Sequence, residues 1–101
     1  MLATKLNIST DRIASFCQRW QLDEFSLFGS ILRDDFRPDS DVDVLFQLLP
    51  GEKMTLEKFV EMRDELVVMF GREVDLVEKP LLRNPYRRDE ILRTREVLYV
   101  A

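Results

Sequence analysis

The stretch from Phe28 to Leu45 constrains the fold of this chain most, because a Gly29-Ser30 turn leads into Asp41-Val42-Asp43-Val44, where carboxylates alternate with apolar side chains. Strand residues two apart project from the same side, so the spacing predicts that Asp41 and Asp43 share one face while Val42 and Val44 enter a core. Two anions so close repel each other and resist desolvation unless a divalent cation or a strong donor set neutralises them. The plain alternative is a solvated acidic strand end. The glycine turn before the strand and a second acidic strand after it favour the metal reading.

At 101 residues the chain, 1–101, is expected to form a single domain with one modest core. Ile13, Phe16, Cys17 and Trp20 recur at i, i+3, i+4 and i+7 behind the capping candidates Ser9 and Thr10, which predicts an amphipathic helix over residues 10–20. Cys17 then belongs to the core, and a chain without histidine offers it no activating base. Phe25 to Phe28 reads as a short buried strand ending at Gly29, and Ser30 to Arg33 as a short helix whose continuation Pro38 would stop. The acidic strand follows over residues 41–47.

Beyond the Leu49-Pro50-Gly51 turn, Leu56, Phe59, Val60, Leu66, Val67 and Phe70 trace one helical face between a Thr55 cap and a Gly71 stop. In Glu73-Val74-Asp75-Leu76-Val77, Val74 and Leu76 share one side of a strand and Asp75 takes the other. A helix from Pro85 to Thr94 and an extended piece over residues 97–100 complete the chain. These elements imply an α+β, two-layer architecture, a small mixed sheet with helices packed on one face and the other face open at least in part.

That open face would carry the chemistry. Mg²⁺ takes one or two carboxylates and completes its shell with water and substrate phosphates, a number Asp41 and Asp43 supply. Asp75, from a neighbouring strand, would help hold a second ion or accept a proton from an attacking hydroxyl. Backbone N–H groups at Gly29 and Ser30, with the Ser30 hydroxyl, would meet the oxygens of a triphosphate. Arg33 would pair with phosphate or with the strand carboxylates, or else be a plain surface arginine or form a structural salt bridge to Asp35.

A Gly-Ser turn followed about ten residues later by Ser40-Asp41-Val42-Asp43 resembles the signature of the nucleotidyltransferase superfamily related to DNA polymerase beta. The small size, the helix before the first strand and the later Arg72-Glu73-Val74-Asp75-Leu76-Val77 look most like the minimal nucleotidyltransferase (MNT, MntA-like antitoxin) branch, over essentially the whole chain. The resemblance implies Mg²⁺-dependent transfer of AMP from ATP to a hydroxyl. Asp41, Asp43 and Asp75 would be catalytic and metal-binding, with two ions, and Gly29, Ser30, Arg33 and Ser40 would bind the nucleotide. It further implies a protein acceptor, a tyrosine of a HEPN-domain ribonuclease toxin. One departure is Asp34, which stands where the family commonly has glycine and adds negative charge near the triphosphate.

The chief alternative is a nucleotidyltransferase-like antitoxin that neutralises its partner by binding, without catalysis. A calcium loop built on Asp39, Asp41 and Asp43 fails, because Val44 and Pro50 hold the positions that need glycine and glutamate. Lys and Arg total 15 against 19 Asp and Glu, and the resulting charge of -4 disfavours a general binder of nucleic-acid backbones. The lone Cys17, the lack of a signal-peptide apolar core and the absence of a membrane-length apolar run place the chain in the cytoplasm as an expectation. Leu81 to Arg88 mixes apolar, aromatic and basic residues, which suits either an interface or a connector whose leucines finish the core. A domain this small could also self-associate, or need its partner to complete the pocket.

Overall fold

The computed structural model describes residues 8–33, 36–37 and 39–101. The expectations placed on Asp34, Asp35 and Pro38 lie outside those residues. Helix α1 (Thr10–Arg19) starts where the Ser9 hydroxyl oxygen accepts the Arg12 amide at 3.2 Å, a cap that satisfies one of the orphan donors of the first turn. Strand β1 (Leu22–Phe28) passes directly into a single 3-10 turn, Gly29–Leu32. Strand β2 (Val42–Leu48) is followed by helix α2 (Leu56–Phe70), which runs between a Thr55 cap and a Gly71 at φ 68°. Strand β3 (Val74–Glu78), a 3-10 turn (Lys79–Leu81), helix α3 (Pro85–Thr94) capped by Asn84, and strand β4 (Glu96–Val100) complete the order.

The strands form one mixed sheet in the order β3-β2-β1-β4, with β1 antiparallel to β2 and β4, and β2 parallel to β3. Helices α1 and α2 cover one face. There Ile13, Phe16 and Cys17 of α1 and Met62, Leu66 and Phe70 of α2 pack with Phe25, Leu27, Val42, Val44, Phe46, Val74 and Leu76 from the strands. Burying side chains such as Phe16, Phe25 and Phe46 contributes roughly 1.5–3 kcal/mol each, so this layer holds the sheet in place. The other face carries a smaller cluster of Phe28, Leu45, Leu82 and Ile91, through which α3 lies across part of the sheet. The expected α+β architecture, a small mixed sheet with helices, is therefore present, with α1 and α2 on one face and α3 over part of the other, the face expected to be partly open.

Two details differ from the sequence reading. Strand β1 begins at Leu22, three residues before Phe25, because Glu24 in its middle is a buried carboxylate that the surroundings satisfy. The buried stripe of α2 runs through Met62, Leu66 and Phe70, leaving Leu56 (80% exposed) and Val60 (38%) outside it. Periodicity alone could not set that rotation, since α2 carries apolar residues on more than one side.

Candidate active site

Parallel pairing of β2 with β3 is what assembles the acids. Its register sets Val42 beside Val74, Asp43 beside Asp75 and Val44 beside Leu76, so the valines and Leu76 enter the core while both aspartates stand on the opposite face. Asp41 lies one residue before β2, and its carbonyl accepts the Ser30 hydroxyl at 3.5 Å. Asp41 and Asp75 are exposed, and Asp43 is half-buried between them. The structure thus sets Asp43 beside Asp75, with Asp41 one residue before β2 and near enough to repel Asp43.

Asp43 is the electrostatic centre. Burial, followed by repulsion from Asp75 and then from Asp41, holds its carboxyl above the usual carboxylate range, against the opposing pull of the Ser30 backbone N–H and the Arg87 guanidinium. The turn after β1 is shaped around this side chain. Gly29 adopts φ +76°, and a β-carbon there would lie 2.1 Å from Asp43 Oδ2, so a residue with any side chain would collide with the carboxylate. The Ser30 amide, expected to face a triphosphate, donates to Asp43 in this structure.

The remaining expected residues fall around this centre. The Ser40 hydroxyl oxygen accepts the Arg37 amide at 3.1 Å and so shapes the loop entering β2. Arg33 lines a cleft of about 410 Å³ together with Gly29 and the near side of α3. Cys17 is fully buried in the core, and burial pushes its thiol up to about 12, which agrees with a packing role.

Sequence reasoning missed two arginines. Arg87, on α3, acts on Asp43 across the open face, and only the path of α3 over the sheet puts it there. Arg72, just before β3, donates to the Arg37 carbonyl at 2.7 Å and stacks 4.4 Å from the Phe36 ring centroid, tying the loop ahead of Asp41 to the strand that carries Asp75. The spacing of Arg87 with Ile91 on one helix face was the available signal for the first. No local pattern marks the second.

Among the described residues, no three acidic, histidine or cysteine side chains converge closely enough to enclose a metal ion by themselves. Mg²⁺ requires less. It binds through one or two carboxylates and fills its shell with water and phosphate, and a half-buried Asp43 raised by burial and then by anion repulsion is the donor environment such a cation relieves. The residues therefore fit a divalent ion that arrives with a phosphorylated substrate. Among the described residues, no helix is long and apolar enough to cross a membrane.

Comparison with known proteins gives the family. The model of the nucleotidyltransferase domain family matches residues 12–98. The protein adenylyltransferase MntA of Thermococcus cleftensis is 36% identical over 85 residues, covering 82% of this chain and 79% of that protein. The solved structure of a minimal nucleotidyltransferase superposes with a TM-score of 0.70 at 30% identity, covering 86% of each chain. A complex of the tri-AMPylated Shewanella oneidensis HEPN toxin with an MNT antitoxin superposes with a TM-score of 0.67 at 16% identity, covering 100% of this chain and 74% of that one, which is a likeness of fold. This chain belongs to the nucleotidyltransferase domain family, in its minimal, MntA-like branch.

Proposed function

We propose that this nucleotidyltransferase transfers AMP from ATP to a hydroxyl of a protein acceptor, as the antitoxin of a HEPN-type ribonuclease toxin in the cytoplasm. The observation that carries the reading is the pairing of Asp43 with Asp75, in register, beside a glycine turn that admits no side chain. Its relatives supply the acceptor class: one is named a protein adenylyltransferase, and a fold neighbour is bound to an AMPylated HEPN toxin.

Asp41, Asp43 and Asp75 would hold Mg²⁺, which when bound neutralises phosphate oxygens and the charge that develops on departing pyrophosphate. Gly29 and Ser30 keep Asp43 aimed at the reaction centre, and the β2–β3 register fixes its distance from Asp75. The acceptor oxygen forms a bond to the α-phosphorus while the bond from that phosphorus to the bridging oxygen breaks. Pyrophosphate leaves with that bond's electron pair. Asp75, exposed at the strand, takes the acceptor proton. The Ser40 hydroxyl and Arg33 contribute donors on the nucleotide side, while the Ser30 amide holds Asp43.

The masking alternative draws on the open spacing of the acids, which by themselves enclose no metal among the described residues. Incubating the protein with Mg²⁺, labelled ATP and a HEPN toxin encoded beside it separates the two. Transfer of label to the toxin, lost in Asp41→Asn/Asp43→Asn, supports catalysis. A stable, unlabelled complex that forms equally well with the double variant establishes masking instead.

A further inference from the structure

Arg72 and Glu73 hold the chain on both sides of Asp41. Ahead of it, the Arg72 guanidinium donates to the Arg37 carbonyl at 2.7 Å, and the same carbonyl accepts the Ser40 amide at 3.0 Å, so both lone pairs of that oxygen are used. The Arg37 amide donates in turn to the Ser40 hydroxyl oxygen at 3.1 Å, which locks Arg37 and Ser40 to each other. After Asp41, the Val42 amide donates to the Glu73 carbonyl at 3.0 Å. The backbone of Asp41 is thus fixed from two directions by residues that stand three and two positions ahead of Asp75 in the chain.

The guanidinium is itself held in place. Its carbon lies 4.4 Å from the centroid of the Phe36 ring, and Phe36 packs against the main core. Arginine suits this task because its planar fork donates at the edge while it stacks through its face, which a lysine ammonium cannot do. On the basis of the metal-dependent transfer set out above, we infer that Arg72 is a positioning residue: through Arg37 and Ser40 it sets the Asp41 carboxylate for the divalent cation that Asp43 and Asp75 share. The sign of its effect separates this role from a plain electrostatic one. An arginine acting only by charge repels the cation, so that removing it tightens metal binding, whereas removing an arginine that acts by position loosens it.

Titration of the intact protein with Mn²⁺ alone, followed by electron paramagnetic resonance of the free ion, reads this without turnover. Arg72→Met should weaken Mn²⁺ by about tenfold or more. Phe36→Leu, which keeps the charge but removes the ring beneath it, should weaken Mn²⁺ in the same direction by less. Arg72→Lys, which can still donate to the Arg37 carbonyl, should recover part of the loss. In an Asp41→Asn background, which already lacks the carboxylate through which Arg72 acts, Arg72→Met should cost nothing further. Circular dichroism melting establishes that each variant is folded at the temperature of the titration. If Arg72→Met holds Mn²⁺ as tightly as wild type or tighter, or loses the same factor again in the Asp41→Asn background, Arg72 does not position Asp41 for the metal, while the transferase reading stands. If wild type holds no Mn²⁺, the metal site and this role for Arg72 fall together.

Discussion

Gly29 shows how a residue without a side chain can be the most demanding position in a site. Its φ of +76° disfavours any L side chain, and the Asp43 carboxylate occupies the space a β-carbon would need. Gly29→Ala is therefore expected to leave the protein folded but to displace Asp43, cutting adenylyl transfer by about a hundredfold or more, since an ångström of misplacement at a reacting centre costs that much. Label-transfer rates, with circular dichroism melting as the check on folding, measure it. The dipeptide was readable in the sequence as a turn. That it closes on Asp43 was not, because the partner lies 14 residues on and across an antiparallel pairing in which Phe28 meets Asp43.

At the scale of elements, the open face is held together by a buried carboxylate. Glu24, in the middle of β1, accepts the Ser26 hydroxyl at 2.7 Å, the Lys79 ammonium at 3.0 Å and the Arg95 guanidinium at 2.6 Å, joining the ends of β3 and α3 to the central strand. Arg95 also donates to the Leu92 carbonyl, and Arg88 to that of Lys79, so α3 is anchored at both ends. Burial would raise the Glu24 carboxyl, but the Arg95, Ser26 and Lys79 hydrogen bonds outweigh it and hold it down to about 2.

A carboxyl depressed in the folded state stabilises the fold above its unfolded pKa of 4.5, and this contribution is lost as pH falls through that value toward about 2. The stake is on the order of 3 kcal/mol. Acid melts of wild type should therefore steepen below pH 4.5, whereas Glu24→Gln should melt lower at neutral pH and lose less between pH 4.5 and 2. An unchanged acid limb in Glu24→Gln would remove Glu24 from the account. This network was not legible in the sequence, because Asp23-Glu24 looks like a polar loop until Lys79 and Arg95 arrive from remote segments.

For the whole molecule, the acid face is a place where function opposes stability. Asp43 is raised in the folded state, so it favours the fold below the ordinary carboxylate range and loses that contribution as pH rises through its elevated value. At neutral pH its charge works against folding. Asp43→Asn should consequently melt a few degrees higher than wild type at pH 7 without metal, while wild type alone gains markedly from Mg²⁺ with ATP. A variant that melts lower than wild type, in thermal scans without ligand, would mean that the charge is already compensated within the fold.

From sequence alone came the helix caps at Ser9 and Thr55, the alternation that buries Val42 and Val44 against Asp41 and Asp43, and the side of its strand that Asp75 occupies, because these depend on dihedral preferences and periods within a few residues. Which aspartates stand side by side, where Arg87 and Arg72 act, how α2 is rotated and how Glu24 is satisfied were decided only in three dimensions. Each depends on the register of a parallel pairing or the path of a helix over a sheet, and those are set by burial summed over the whole core.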